Sequence, residues 1–222
     1  MKIQKATQMK AGIIGSGMVG QTLAKAFKNE GYDVMLGTRD TSKAEVVKFS
    51  NETGIGTGTF DETAKYGDII VLATKGTATL EAVRIAGINN LDGKVVIDAT
   101  NPIAGVPPTN GVLHFTTTFD NSLMEDLQKA APGAKFVKAF NSVGSTLMYK
   151  PQLTGGKPSM FICGNDDAAK QTVSGILSAF GWETEDMGKA EAARAIEPLC
   201  ILWCISGFLN NDWMHAYKVL RP

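Results

Sequence analysis

The strongest constraint on the fold is a short apolar segment followed at once by closely spaced glycines. Residues 10–15, KAGIIG, lead directly into residues 15–20, GSGMVG, which fit the pattern G-x-G-x-x-G. Residues 18–30 then carry apolar side chains at helical spacing, and Gly31 ends the segment. A glycine-rich turn between a buried strand and a helix is typical of a dinucleotide-binding βαβ unit.

Each glycine of this turn has a physical role in that interpretation. Gly15 permits the tight turn, Gly17 lets a pyrophosphate approach the backbone because it lacks a Cβ atom, and Gly20 lets the helix pack closely on the strand. The free N–H groups of Met18 and Val19 would lie at the helix N-terminus, where they can bind an anion. The alternative is a glycine-rich turn without a ligand.

The rest of the chain alternates between apolar strand segments and amphipathic helical segments. This alternation predicts an α/β fold of the Rossmann type, a doubly wound parallel sheet with helices on both faces. We expect a nucleotide-binding domain over residues 9–150 and a small, mostly helical C-terminal lobe over residues 151–222, with Pro198 starting or kinking a helix. The further strands are predicted at 32–36, 68–73, 94–99, 135–140, 159–163 and 182–186.

The end of the second predicted strand indicates which dinucleotide binds. A carboxylate near this point usually holds the free 2′-hydroxyl of NAD, whereas this chain has Thr38 and Arg39. A guanidinium attracts a 2′-phosphate with bidentate geometry, a threonine hydroxyl can donate to it, and Lys43, one turn into the next helix, could add charge. Asp40 could serve the ribose of NAD, but we interpret it as the cap of the following helix. The sequence therefore predicts NADP(H).

Ligands of such folds bind at the carboxyl ends of the strands, where this chain places small polar residues. They are Ala73, Thr74 and Lys75, then Thr100, Asn101 and Pro102, then Asn141, Ser142 and Val143. None of them is a nucleophile with a neighbouring base. His114 lies in a loop, where a histidine is more often solvated than catalytic. We therefore predict no catalytic residue and no metal site, which suits hydride transfer between flat redox rings, since that needs mainly position and exclusion of water.

Composition further limits the partners and the compartment expected for this protein. The 22 basic and 22 acidic residues balance, so no net field recruits nucleic acid or an anionic membrane. The three cysteines are too few for a disulfide framework, and we expect no membrane span because no apolar run reaches about 18 residues. Residues 1–8 have no apolar signal region and are expected to be a lead-in, so the expected compartment is the cytoplasm.

Six motifs in register resemble a known family over residues 10–215. They are GIIGSGMVG, VMLGTRD, DATNPI, KFVKAFNSVG, FICGNDDAAK and WETEDMG. The chain resembles the NADPH-dependent oxidoreductases of the coenzyme F420:NADP type, and it is also similar to the cytoplasmic NADPH-binding domain of the six-transmembrane metalloreductases. KAFNSVG is closer to the metalloreductase version, which leaves a conventional flavin or another soluble acceptor open beside coenzyme F420.

The resemblance implies an oxidoreductase that holds NADP on the glycine turn and passes hydride to or from a flavin-like ring. Carried over residue by residue, it implies contacts from Thr38 and Arg39 to the 2′-phosphate, from Ser16, Met18 and Val19 to the pyrophosphate, and from Asn101, Pro102, Ala139 and Asn141 around the nicotinamide. It also implies a homodimer joined through the C-terminal helices, which suits an apolar tail with Trp203, Phe208, Trp213 and Tyr217.

Two other functions fit part of the pattern. One is an NADP(H)-binding sensor or subunit without turnover. The other is a relative of the β-hydroxyacid dehydrogenases or pyrroline-carboxylate reductases, whose opening motif is similar. The short C-terminal lobe counts against this second alternative, since those families build the substrate site from a larger helical domain.

Overall fold

The computed structural model describes residues 8–222, so the prediction made for residues 1–7 lies outside it. Eight strands form one sheet in the order β3-β2-β1-β4-β5-β6-β7-β8. The strands are β1 Lys10–Ile14, β2 Asp33–Gly37, β3 Gly56–Gly58, β4 Ile69–Leu72, β5 Val95–Asp98, β6 Lys135–Lys138, β7 Ser159–Gly164 and β8 Glu183–Asp186. The helices are α1 Met18–Asn29, α2 Ala44–Thr53, α3 Phe60–Tyr66, α4 Gly76–Ala86, α5 Ile88–Leu91, α6 Leu123–Ala130, α7 Asp167–Ala179, α8 Ala193–Ile196 and α9 Pro198–Asn210.

The strand order confirms the predicted Rossmann-type fold. From β1 the chain builds outward through β2 and β3, then returns to place β4 on the other side of β1. Strands β1 to β6 are parallel, whereas β7 runs antiparallel to β6 and β8 runs parallel to β7. The order reverses between β1 and β4, which is the point where open α/β sheets bind their ligands.

Helices cover both faces of the sheet, and each face has its own apolar core. Leu23 of α1 and Val173 of α7 belong to one core, whereas Ala82 of α4 and Leu127 of α6 belong to the other. Strand β4, IIVL, is buried at all four positions. This continuous burial explains why its sequence is uniformly apolar rather than alternating.

Three local predictions differ from the structure. Strand β3 and helix α5 are absent from the sequence prediction, because three residues with two glycines and a single helical turn give no measurable periodicity. The helical prediction for the C-terminus extends too far. Helix α9 ends at Asn210, the next residue, Asn211, has a left-handed φ of 53°, and residues 212–222 have no regular structure.

The sheet continues across the boundary predicted at residue 150. Strands β7 and β8 extend it beyond β6, so residues 159–186 complete the central layer. The helical C-terminal region is formed by α8 and α9, and the tail then crosses β7, where Ser159 N–H donates to Tyr217 O at 2.8 Å.

One stretch of the described chain, Ala190–Asn210, is long and apolar enough to cross a membrane by length and composition, although 33% of its apolar window is buried in the fold. Arg194 and Glu197 interrupt its apolar residues, so it does not contain an uninterrupted apolar run of about 18 residues. A core or interface helix has the same composition, so this feature alone is weak evidence for a membrane.

Candidate functional site: a two-part cleft at the carboxyl edge of the sheet

The glycine turn after β1 has the backbone geometry that its sequence predicts. Gly15 has a φ of 122°, a region that side chains rarely adopt, and its N–H donates to Gly37 O at 3.0 Å. A Cβ atom on Gly20 would lie 1.8 Å from Gly15 O, so this glycine is needed for close packing of α1 on the turn. A Cβ atom on Gly17 would meet no atom within 4 Å and would project into open space.

Three helices begin at this edge without a side-chain cap. The N-cap residues of α1, α2 and α4 are Gly17, Lys43 and Lys75, and within residues 8–222 no side chain accepts from their first N–H groups. In contrast, Thr59 caps α3 and Asp166 caps α7. These three N-cap residues all line one cavity of about 350 Å³. Uncapped helix N-termini carry partial positive charge, so this cavity suits a polyanionic ligand.

The carboxyl end of β2 closes one side of this cavity. Thr38 is 3% exposed, and its hydroxyl lies 3.1 Å from Ser16 Oγ, which joins the end of β2 to the glycine turn. Arg39 lines the cavity and is exposed, and it takes part in none of the ion pairs found in residues 8–222. Its guanidinium is therefore available to an anion beside Thr38.

The predicted cap at Asp40 is wrong. The Asp40 carboxylate accepts hydrogen bonds from Ser42 N at 2.9 Å and Ser42 Oγ at 2.6 Å, which lower its pKa, and it does not cap α2. A short turn over residues 40–42 separates it from the helix, because the side chain bonds the backbone two residues on. Lys43 is the N-cap residue itself and not one turn inside α2.

A second cavity, of about 430 Å³, continues from the first across the sheet edge. The two cavities share Ala73, Thr74 and Lys75, the residues that follow β4. The second is otherwise lined by Val19, Gly76, Thr77, Ala99, Thr100, Asn101, Ile103, Ala104 and Gly105. Together they form one cleft over the switch point between β1 and β4, the place where dinucleotides bind in open α/β sheets.

Asn141 lies behind Asn101. Asn101 Nδ2 donates to Asn141 O at 2.7 Å, and Asn141 Nδ2 donates to Asn101 Oδ1 at 3.2 Å and to Ile196 O at 2.9 Å. Between Ala139 and Asn141, the buried Phe140 has a φ of 64°, an unusual value for a bulky residue. This bend redirects the chain after β6 and places Asn141 where it holds the cleft residue Asn101. Ala139 and Pro102 are buried and do not line the second cavity.

A buried ionic cluster of Asp98, Lys138 and Glu197 lies beneath Thr100. Lys138 Nζ donates to Asp98 Oδ2 at 2.7 Å, to Glu197 Oε1 at 2.9 Å and to Thr100 O at 2.9 Å. The three residues are at most 1% exposed. Burial disfavours the Lys138 ammonium, but the charges of Asp98 and Glu197 outweigh burial and raise the pKa of Lys138. Asp98 also accepts a hydrogen bond from Thr100 N–H at 2.9 Å.

Sequence reasoning did not find the apolar wall of the first cavity. Ala78, Ala82 and Ile85 of α4 line it at helical spacing, beside Phe60. Ile85 is 39% exposed. The spacing of these three residues was readable from the sequence as a helical face, but the sequence alone did not show that this face meets a cavity.

No acid–base pair stands in the second cavity. Among the described residues, Lys75 is its one ionisable lining group, and residues 8–222 hold no group of three or more His, Cys, Asp or Glu that could bind a metal. The first cavity contains Glu45 and Glu81, and Arg84 holds Glu81 through two hydrogen bonds of 2.6 and 2.7 Å. The cleft is therefore built to bind and orient, with no acid–base pair among the residues that line its second cavity.

Comparisons with known proteins agree with this geometry. Residues 10–102 match the family described as NADP oxidoreductase, coenzyme F420-dependent. A structure from Arthrobacter sp. FB24, provisionally assigned as an F420-dependent NADP reductase, is 30% identical, with a TM-score of 0.88, and the match covers 96% of this chain and 99% of that one. An imine reductase from Aspergillus terreus shares the fold, with a TM-score of 0.65 at 18% identity over 91% of this chain and 62% of that one.

A curated relative extends beyond the matched region. The metalloreductase STEAP3 of Rattus norvegicus is 28% identical over 220 residues, which is 96% of this chain but 42% of the relative. The chain thus spans less than half the length of that protein. The match to the Arthrobacter structure, by contrast, runs through both whole chains and identifies the chain as a member of the coenzyme F420-dependent NADP oxidoreductase family, which consists of NADP-dependent oxidoreductases.

Proposed function

We propose that this protein binds NADP(H) along the two-part cleft. The adenosine 2′-phosphate contacts Thr38, Arg39 and Lys43, and the pyrophosphate lies on the uncapped N-terminus of α1. The adenine lies against the apolar wall of α4, and the nicotinamide enters the second cavity beside Asn101. The uncapped helices and the cation at the end of β2 support this orientation, because each places positive charge where the cofactor carries phosphate.

The nicotinamide then exchanges hydride with a flavin or a deazaflavin of the coenzyme F420 type. One observation carries this proposal: the second cavity has a mainly apolar lining and, in the described chain, no acid–base pair. Reduction of a carbonyl would need a positioned proton donor, whereas hydride transfer between stacked rings needs mainly alignment and exclusion of water. The resemblance of this chain to F420-dependent NADP reductases favours the same class of acceptor.

Consumption of NADPH by the purified protein tests the acceptor directly. Coenzyme F420, FMN, FAD, riboflavin and a quinone are supplied one at a time, and NADH is run in parallel as the matched donor. We expect turnover with one flavin-like ring and a strong preference for NADPH over NADH. Tight NADPH binding without turnover on any acceptor would contradict an enzymatic role and favour a sensor or subunit.

We also propose that the protein is a cytoplasmic homodimer joined through α9. Leu202, Ile205 and Leu209 recur on one face of α9, and Leu202 and Leu209 are 57% and 59% exposed. Trp203 points elsewhere, since its indole N–H donates to His215 O at 2.8 Å. Because the exposed stripe is centred on Ile205, a two-fold contact between antiparallel α9 helices would bring Leu202 of one subunit close to Leu209 of the other.

Substitution Leu202→Glu should convert the dimer to a monomer. A buried, unpaired carboxylate within an apolar contact is strongly unfavourable, and the stripe offers no cation to pair with it. Sedimentation equilibrium measures the change, with Val47→Glu on α2 as the control, because Val47 is an exposed apolar helix residue outside the stripe. A wild-type monomer, or an unchanged mass for Leu202→Glu, would refute this interface.

A further inference from the structure

The buried cluster of Asp98, Lys138 and Glu197 carries more negative than positive charge. Asp98 accepts from Lys138, from Thr100 N–H at 2.9 Å and from Thr100 Oγ1 at 2.6 Å. Glu197 accepts from Lys138 at 2.9 Å and from the N–H groups of Leu123 and Met124, both at 3.1 Å. Every contact of the two carboxylates is with a donor, the pattern that an ionised carboxylate requires.

One ammonium against two carboxylates leaves a formal surplus of one negative charge. The N-terminus of α6 offsets part of it through the two N–H groups that meet Glu197, since a helix N-terminus is equivalent to about half a positive charge. The cluster is shielded from water, so the remaining charge is weakly screened and acts over a longer distance than a surface charge would.

The cluster is attached directly to the floor of the second cavity. Thr100 lines that cavity, and its N–H, its hydroxyl and its carbonyl each bond to Asp98 or Lys138. Glu197 stands at the start of α9, beside Ile196, whose carbonyl accepts from Asn141. The cluster therefore lies at the inner end of the cleft, away from the phosphate-binding cations at the end of β2.

We propose that this surplus negative charge favours the oxidised, positively charged nicotinamide over the reduced, neutral one. When NADPH gives up hydride, a proton with two electrons leaves C4, the ring gains one positive charge, and the acceptor ring takes the hydride. A nearby negative charge stabilises the product of that step and not its precursor. The inference rests on the proposed place of the nicotinamide beside Thr100 and Asn101.

Charge variants of the cluster test this through binding rather than turnover. NADPH is titrated by its fluorescence and NADP+ by competition, which gives the ratio of Kd for NADP+ to Kd for NADPH. Glu197→Gln removes the surplus and should raise this ratio about ten- to twentyfold, the scale of a unit charge acting over roughly 10 Å at an effective dielectric constant of about 20. Lys138→Gln increases the surplus and should lower the ratio.

Glu197→Gln and Lys138→Gln should change the Kd ratio in opposite directions, which separates an electrostatic effect from simple damage to the cleft. Ile97→Val, in the same buried strand, loosens packing without changing charge and should leave the ratio unchanged. Equal changes in both Kd values for the charge variants would overturn the inference while leaving the proposed cofactor site intact. If the wild-type protein does not bind NADPH, the proposed function is refuted.

Thermal unfolding of each variant identifies those that fold. Asp98→Asn provides a second removal of negative charge if Glu197→Gln does not fold, and it should change the ratio in the same direction. Should none of the charge variants fold, the wild-type protein decides the question. Binding of NADP+ at least as tight as that of NADPH supports the inference, and tighter binding of NADPH overturns it.

Discussion

Gly17→Val should abolish NADPH binding while the protein stays folded. Gly17 has φ −74° and ψ −178°, an extended conformation that valine adopts readily, and its Cβ position is open. The new side chain would occupy the space above the α1 N-terminus that the pyrophosphate needs. Loss of two charge-assisted hydrogen bonds at about 1.5–3 kcal/mol each corresponds to at least a hundredfold weaker binding, measured by fluorescence titration with NADPH.

Gly20→Ala is the matched control in the same turn. Its Cβ atom would collide with Gly15 O at 1.8 Å, so this substitution should lower the free energy of unfolding, whereas Gly17→Val should not. Thermal unfolding of both variants separates the two effects. Retained NADPH binding by folded Gly17→Val would show that the pyrophosphate lies elsewhere.

Arg39→Ala should weaken NADPH binding by about 1.5–3 kcal/mol, the scale of a hydrogen bond to a charged group. NADH binding should be nearly unchanged, because NADH lacks the 2′-phosphate. The guanidinium is exposed, lines the first cavity and forms no ion pair with the carboxylates of residues 8–222, so removing it leaves no buried group unpaired. The Kd values for NADPH and NADH, measured on the same preparation, give the comparison.

Two further variants sharpen the result for Arg39. Arg39→Lys keeps the charge but loses the planar fork, and we expect an intermediate loss for NADPH. Lys48→Ala removes an exposed cation from α2 outside the cavity and should change neither Kd. Equal losses of NADPH and NADH on Arg39→Ala would mean that Arg39 supports the fold of the cleft rather than reading the 2′-phosphate.

Much of the fold was readable because its signals are local. The glycine turn, the uniformly apolar strands and the amphipathic helices each depend on a few consecutive residues, and their alternation fixes a parallel sheet. The prediction that Asp40 caps the next helix failed, because a carboxylate before a helix can cap that helix or can instead accept hydrogen bonds within a short turn, as Asp40 does from Ser42. The sequence pattern does not distinguish these outcomes.

By itself, the sequence determined the class of fold, the nucleotide-binding turn and the cation that stands where NAD-binding proteins carry an acid. These features need only short segments whose backbone geometry follows from residue type. The tertiary structure alone decided which distant residues meet. Asp98, Lys138 and Glu197 come from β5, β6 and the start of α9, and the bend at Phe140 sets Asn141 behind Asn101. Such contacts depend on strand order and register, which place residues far apart in the chain within hydrogen-bonding distance.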